Sequence, residues 1–179
     1  MIGPKKLLEL VKSDNLVSDL DKRELENPEG AGFDLRLGEI HEITGGTAFL
    51  GVTERETPDV ATVARHDPEK PSQFIFQPNK YFLVSTIESV NLPVDIAANI
   101  KPRTTTFRSG LILRTGAVQP GYQGKLSFGC INLGPIPVTV ELGARIVFIQ
   151  FHRVEGGGEQ YRGQWQGGRV TTEKREKQV

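Results

Sequence analysis

The hydrophobic pattern changes period along the chain, from helical at the start to strand-like after residue 32. The apolar residues that recur at helical spacing are Leu7, Leu8, Leu10 and Val11. They follow Pro4, a residue that suits the first turn of a helix. The pattern predicts a short helix over residues 4–13, ending near Asp14-Asn15.

Beyond the turn-forming residues 27–32, the pattern alternates. Residues 33–37 alternate apolar and charged side chains, which predicts a half-buried strand. Residues 39–52 are typical of a hairpin that turns at Gly45-Gly46. Residues 53–72 are rich in Glu, Thr, Asp and Pro and predict a loop.

From residue 73 onward the chain is rich in short β-like runs separated by Gly and Pro turns. The predicted strands lie at residues 74–76, 81–86, 96–100, 125–132, 138–140 and 145–151. Many short strands at regular intervals predict an all-β domain, a jelly roll or distorted barrel, over residues 1–155 with the N-terminal helix.

Residues 156–179 differ in kind, because they are Gly-rich and then charged. A segment this polar has little to bury, so we predict a flexible C-terminal tail, with residues 171–178 as a solvated end. Trp165 is the exception, since an indole is costly to leave in water. We expect it to pack on a ligand or on a partner subunit.

Composition narrows the possible partners. Lys+Arg and Asp+Glu number 22 each, so no overall charge favours a nucleic acid or a membrane surface. The single Cys130 rules out an internal disulfide and a Cys-rich zinc site, and its alternation with apolar neighbours predicts a buried side chain. The longest apolar run is four residues and the N-terminus has no apolar signal segment, so we expect a cytoplasmic protein.

Residues 101–111 carry the most informative chemistry of the chain. Arg103 and Arg108 flank three consecutive threonines there, and a Gly-Tyr turn follows at 121–122. Guanidinium forks and hydroxyls are suited to a triphosphate, whose charge is spread over many oxygens. The plainer alternatives are surface arginines paired with acidic neighbours, and threonines that form a strand or cap a helix.

These elements together resemble the family of trimeric deoxynucleotide triphosphate enzymes that comprises dCTP deaminases and dUTP diphosphatases, the deaminase branch more closely. Asp34-Leu-Arg-Leu-Gly38 resembles an N-terminal element of the deaminases, and the Arg103–Leu111 run is similar to their phosphate-binding motif with threonines in place of serines. Thr115–Gly124 resembles the motif that holds deoxyribose and base, and Tyr161-Arg-Gly-Gln164 the closing tail.

The resemblance implies a jelly-roll homotrimer that binds dCTP or dUTP at subunit interfaces, with Mg²⁺ carried on the triphosphate and no metal ligands from protein side chains. The implied triphosphate-binding residues are Arg103, Thr104, Thr105, Thr106 and Arg108. The implied base- and sugar-binding residues are Gly116, Ala117, Val118, Gln119, Tyr122, Ser127 and Phe128. Tyr161 and Gln164 would close over the ligand.

Two positions depart from the family pattern. Where both branches carry an aspartate before the Gly-Tyr turn this chain has Gln119, and where the deaminases carry a proton-shuttling glutamate it has Gly129. Neither residue can take a proton near neutral pH. Asp34, Glu39 or Glu88 could substitute only if the fold brings one of them into the pocket.

Four functions follow from this combination, the last of which is altered specificity, in which the amide of Gln119 reads a modified or purine base. The first is a dCTP deaminase-like hydrolase that forms dUTP and ammonia, the second a dUTP diphosphatase that forms dUMP and pyrophosphate. The third is a catalytically silent dNTP-binding homologue. Zinc-assisted deamination is excluded because it needs His-x-Glu and paired cysteines. His41, His66 and His152 lack metal spacing and are expected to be solvated or without a functional role.

Overall fold

The computed structural model describes residues 1–178. Its helices are α1 (Pro4–Asp14), α2 (Lys22–Glu26) and α3 (Thr104–Arg108). Its strands are β1 (Val17–Ser18), β2 (Phe33–Gly45), β3 (Phe49–Leu50), β4 (Glu54–Glu56), β5 (Asp59–Arg65), β6 (Gln73–Phe76), β7 (Tyr81–Asn91), β8 (Ile96–Pro102), β9 (Leu111–Arg114), β10 (Ala117–Val118), β11 (Gln123–Asn132), β12 (Val138–Glu141), β13 (Arg145–Arg153) and β14 (Glu176–Lys177).

Nine of these strands form one curled sheet, in the order β10-β8-β13-β2-β7-β11-β9, with β1 added to β7 and β5 added to β2. Strand β2 curves because its two halves have different partners. Phe33–Arg36 pairs with β13, whereas the later residues pair with both β7 and β5. The predicted all-β class is therefore confirmed, as a half-barrel preceded by a short helix.

The core fills the inside of the curled sheet. Inward residues of β2 and β13, such as Phe33, Leu35 and Phe151, have no exposed surface. The rings of Phe74, Phe76 and Phe82 pack edge to face, with centroids 4.9–5.5 Å apart. This packing joins β6 to β7, one of the strands that carry the candidate site.

The N-terminal helix agrees with its prediction. α1 starts at Pro4, buries Leu7 and Leu10, and ends at Asn15, whose φ of 51° is left-handed. A left-handed asparagine stops a helix because its backbone N–H turns back to an earlier carbonyl. The strands predicted after residue 73 are also present, several of them longer than expected.

The prediction for residues 39–72 was wrong in two respects. β2 does end at Gly45, but its hairpin partner is β5, with Gly45 opposite Asp59, rather than the residues just after Gly46. The predicted loop at 53–72 contains β4 and β5. Its composition is that of a loop, but β5 lies at the edge of the sheet, where most side chains face water.

The C-terminal tail packs against the domain. β14 pairs with β4, and Thr172 is 2% exposed because it exchanges hydrogen bonds with Thr57. The prediction of a solvated end at 171–178 was therefore wrong at its start. Within residues 1–178, no helix has the length and apolar character needed to cross a membrane.

Candidate functional site

A cavity of about 470 Å³ lies between one face of the curled sheet and the tail. Its wall contains every residue predicted to bind base and sugar, namely Gly116, Ala117, Val118, Gln119, Tyr122, Ser127 and Phe128. We call it the base cavity. A volume of this size is within the range of small-ligand sites.

The turn between β10 and β11 shapes one end of the base cavity. Gly121 has a φ of 77°, a left-handed conformation that a residue without a side chain adopts at little cost. The turn places Tyr122 with 8% exposure, and its hydroxyl donates to the carbonyl of Lys125 at 2.6 Å. Burial, and to a lesser degree Tyr161, raise the pKa of Tyr122 to about 12, so its hydroxyl stays protonated.

The tail forms the opposite wall. Tyr161 packs edge-on against Tyr122, with centroids 5.4 Å apart, and Trp165 and Arg169 line the cavity. The tail approaches β11 closely because Gly124 lacks a side chain: a Cβ there would collide with the backbone of Gly168. Trp165 packs on its own chain, and its contact with a ligand or a partner subunit stays a prediction.

Gln164, the second predicted tail residue, lies outside this wall. Its side-chain amide donates to Glu176 at 2.7 Å, and Arg169 bonds the same carboxylate. The carboxylate of Glu176, on β14, therefore holds the Gln164 side chain away from the cavity, whereas Arg169 contacts this carboxylate and also lines the cavity. Tyr161 reaches the cavity and Gln164 does not.

No carboxylate lines the base cavity among the residues that the structure describes. Gln119 and Gly129 are in its wall, at the two positions where the family pattern predicts acids. Of the possible substitutes, Glu88 is fully buried against Arg36, with Oε1 2.6 Å from Nε. Glu39 is 3.3 Å from the Lys125 ammonium, outside the wall. Neither can reach the cavity as placed.

The predicted triphosphate residues lie elsewhere on the chain. Arg103, Thr104 and Thr105 line a second cavity of about 390 Å³, together with Asp34 and Lys101. We call it the arginine cavity. The hydroxyl of Thr106 donates to the carbonyl of Ile146 at 3.1 Å, and this side chain is buried. The structure therefore directs Thr106 into the fold, against its predicted role, and Arg108 is exposed outside the cavity.

The arginine cavity is strongly charged. The carboxylate of Asp34 is buried and pairs with Arg103, with Arg145 at 2.9 Å and more distantly with Arg23. Burial and the neighbouring Arg145 lower the pKa of Arg103, which stays protonated at neutral pH. Arg103 does pair with an acidic neighbour, but Asp34 shares its charge among three guanidinium groups. Their remaining donors suit an anion.

A buried polar chain runs behind the base cavity. His41 is 3% exposed, and its ring nitrogens contact hydroxyls of Thr62 and Ser85. Ser85 in turn contacts Ser127, a residue of the cavity wall. His41 is buried rather than solvated, because Thr62 on β5 and Ser85 on β7 enclose it from either side of β2. The prediction for Cys130 was right: it is 2% exposed, and burial raises the pKa of its thiol to about 12.

Residues 1–178 contain no cluster of His, Cys, Asp and Glu that could hold a metal ion. Several wall residues escaped prediction, among them Tyr81 and Arg114. Arg114 could have been found from β9, where exposed residues alternate with the buried Leu111 and Leu113. Nothing in the sequence marks Tyr81, because its position depends on the pairing of β7 with β11.

Comparisons with known proteins find relatives over most of the chain. Residues 2–154 match the family model described as dCTP deaminase-like. A dCTP deaminase of Pyrococcus furiosus is 32% identical over 154 residues, which cover 85% of this chain and 87% of the relative. A "dCTP deaminase, dUMP-forming" of Dictyoglomus turgidum is 32% identical over 130 residues, covering 70% of this chain and 66% of the relative.

A solved structure shares the fold. The 2′-deoxycytidine 5′-triphosphate deaminase from Agrobacterium tumefaciens superposes with a TM-score of 0.63 at 19% identity, covering 86% of this chain. This chain spans 48% of that longer one. At this identity the likeness concerns the architecture alone.

Proposed function

Because the chain belongs to the dCTP deaminase-like family, we propose that it binds a pyrimidine deoxynucleoside triphosphate and acts as a dCTP deaminase-type hydrolase, converting dCTP and water into dUTP and ammonia. One observation carries this proposal: the seven residues predicted for base and sugar line a single cavity of nucleoside size. Backbone groups of Gly116, Ala117 and Val118 would meet the base, and Tyr122 the deoxyribose.

The triphosphate would be held by a second protomer. On one chain the arginine cavity is separate from the base cavity, and strand β8 contributes Ile100 to one and Lys101 to the other. A homotrimer would join the base cavity of one copy to the arginine cavity of the next. Exposed apolar side chains support such an interface: Phe107, which follows the threonines, is 48% exposed, and Leu133 is 61% exposed.

Mg²⁺ would be bound through phosphate oxygens rather than by a protein cage. Mg²⁺ keeps several waters and commonly uses substrate phosphates with few side-chain ligands. The arginine cavity fits this role, because it offers many donors to phosphate and Asp34 as its innermost acid. When bound, Mg²⁺ would neutralise part of the triphosphate charge.

The absence of a carboxylate from the base cavity favours a second candidate, a catalytically silent dNTP-binding homologue. General acid–base help contributes roughly 10²- to 10⁴-fold to reactions of this kind. A cavity that keeps the ligand-binding wall but holds only neutral polar groups and arginines is suited to recognition without rapid turnover.

Two measurements test these candidates. Incubation with dCTP or dUTP and Mg²⁺, followed by anion-exchange chromatography, distinguishes dUTP from dUMP and so separates deaminase from diphosphatase activity. Saturable dNTP binding without either product supports the silent homologue. Arg103→Ala should abolish binding, with Arg153→Ala as the control, because Arg153 is a surface arginine paired with Asp95. If Arg103→Ala binds dNTPs like the wild type, the proposed phosphate site is wrong.

A further inference from the structure

An unbroken chain of four polar side chains runs from Thr62, exposed on the edge strand β5, through the buried His41 and Ser85 to the base cavity. Thr62 Oγ1 lies 3.0 Å from His41 Nδ1, and His41 Nε2 lies 3.2 Å from Ser85 Oγ. Ser85 Oγ lies 3.0 Å from Ser127 Oγ. His41 and Ser85 are almost fully buried, whereas Ser127 is exposed in the cavity wall. We call this series the hydroxyl relay.

The hydroxyl relay can satisfy the neutral imidazole in two ways, since each hydroxyl has one proton and each neutral ring has one N–H. When Nδ1 carries the proton, Ser85 donates to Nε2 and Ser127 donates to Ser85. Ser127 then presents only lone pairs to the cavity. When Nε2 carries the proton, Ser85 accepts from it and donates to Ser127, whose own proton is free to point into the cavity.

We infer that Ser127 is a base-reading residue whose donor or acceptor character is set by His41 through Ser85, so that one neutral site accepts both cytosine and uracil nucleotides. The inference rests on the proposed function. The 4-amino group of cytosine donates and the 4-oxo group of uracil accepts, so each needs the opposite character from the protein. His41 and Ser85 are positioning residues here, because neither reaches the cavity.

The position of Ser127 in the cavity supports this assignment. Gly129 follows two residues later on β11 and shares its face of the sheet, at the position where the family pattern predicts the residue that acts at C4 of the pyrimidine. Gln119 carries both a donor and an acceptor and cannot alone distinguish the two bases. The hydroxyl of Ser127 lies in the cavity wall and is hydrogen-bonded to the buried Ser85, which fixes its direction.

Protonation of His41 would leave only one of the two hydrogen-bond arrangements of the relay. A cationic imidazole donates from both nitrogens, which forces Ser85 to donate to Ser127 and Ser127 to donate into the cavity. The groups that face His41 are the hydroxyls of Thr62 and Ser85, the carboxylate of Glu39 at 3.8 Å, and the cations of Arg65 and Lys125 that hold this carboxylate. Acidification should therefore favour uracil over cytosine.

Rapid mixing with dCTP or dUTP in the presence of Mg²⁺, monitored by the fluorescence of Trp165, measures the affinity before turnover. Trp165 is the only tryptophan of the chain and lines the cavity. We expect the ratio of the dCTP to the dUTP dissociation constant to rise measurably between about pH 8 and about pH 5.5, toward a limit of about five- to tenfold when His41 is fully protonated, the cost of one mispaired hydrogen bond. Phosphate protonation affects both nucleotides and cancels in the ratio.

Two variants test whether the pH dependence of this ratio arises from the hydroxyl relay or from another titrating group. Ser85→Ala interrupts the hydroxyl relay at its middle, and Ser127→Ala removes its exposed end without disturbing the core. In both variants the ratio of the dCTP to the dUTP dissociation constant should not change with pH. His152→Asn is the control, because this histidine lies on β13 outside the relay and should leave the wild-type rise intact.

A constant ratio in the wild type, or a rise that persists in both variants, would overturn the inference. If neither nucleotide changes the fluorescence or the melting temperature, the proposed function itself fails. That result is distinct from nucleotide binding with a constant ratio, which refutes the relay alone.

Discussion

The phenol ring of Tyr81 occupies the space that a side chain at position 129 would need. A Cβ atom placed on Gly129 would lie 3.1 Å from Cζ of Tyr81 and closer still to its hydroxyl. Tyr81 is 46% exposed, so the obstructing atoms are the outer end of a side chain that has room to move. Gly129 and Tyr81 thus act as a pair, in which the absence of one side chain makes room for the other.

This pair predicts how a carboxylate can be restored to the base cavity. We expect Gly129→Glu combined with Tyr81→Ala to raise dCTP turnover about tenfold or more, since a carboxylate there can transfer protons. Gly129→Glu alone should gain less, because the phenol competes for the same space. Ammonia release with Mg²⁺ and dCTP measures the effect.

The matched control for that experiment is Gly129→Gln with Tyr81→Ala. Glutamine has the size of glutamate but cannot accept a proton near neutral pH. Equal turnover by the glutamine and glutamate double variants would show that space, and not proton transfer, limits the reaction.

The limits of sequence reasoning are visible in two elements. Helix α1 could be predicted because its apolar spacing, Pro4 and Asn15 are all local. Strand β5 could not be predicted, because most of its side chains are exposed and it forms a strand only by pairing with β2. Local pattern identifies elements with an apolar face, and it fails where a distant partner defines the element.

The residues of the site also divide into those that local sequence identifies and those that depend on a distant partner. Motif positions from Gly116 to Phe128 are close in sequence, so the turn that joins them also brings them into one cavity. The pairing of Arg103 with Asp34 spans 69 positions, and no local feature reveals it. The burial of His41 likewise depends on β5 and β7, which flank β2 on either side.

The buried His41 predicts a specific dependence of stability on pH. Burial is the main cause that lowers the pKa of His41, Arg65 and Lys125 add to it, and Glu39 opposes it. Below the ordinary imidazole pKa of about 6.5, the unfolded chain then binds more protons than the folded one. The contribution of His41 to stability is complete above about pH 6.5 and is lost as the pH falls toward the folded-state pKa, by at most about 1.4 kcal/mol per pH unit.

Urea unfolding at about pH 8 and about pH 5.5 checks this dependence. His41→Asn should lose less stability than the wild type between the two conditions, whereas His152→Asn should follow the wild type. The raised pKa of the buried Glu88 is common to all three chains and does not affect the comparison. An equal loss in His41→Asn and wild type would contradict the prediction.

The separation of the two cavities predicts complementation between inactive variants. Arg103→Ala keeps an intact base cavity, and Ala117→Trp fills the base cavity but keeps the arginine cavity. In a mixed trimer, the base cavity of the first would meet the arginines of the second. We expect co-expressed, doubly tagged assemblies to bind dNTPs although each variant alone does not. Absence of binding in mixed trimers of verified size would indicate a site within one chain.

Removal of residues 156–179 tests whether the tail is an independent segment. The hydrophobic side chains that the tail adds to the packing around the core are Tyr161 and Trp165, both partly buried. The remaining chain should therefore melt cooperatively, with a loss of about 3 kcal/mol for these two aromatic contacts. Its dNTP affinity should fall by about tenfold or more, because the base cavity loses the wall formed by Tyr161, Trp165 and Arg169.

A shorter deletion provides the control for this experiment. A chain that ends at Thr172 loses β14 but keeps the three wall residues and the contacts between Thr57 and Thr172. It should bind dNTPs with nearly the wild-type affinity, although Gln164 and Arg169 lose Glu176 as their partner. If the chain of residues 1–155 fails to fold, the tail is part of the domain. If that chain binds dNTPs as tightly as the full-length protein, the tail wall has no role in holding the nucleotide.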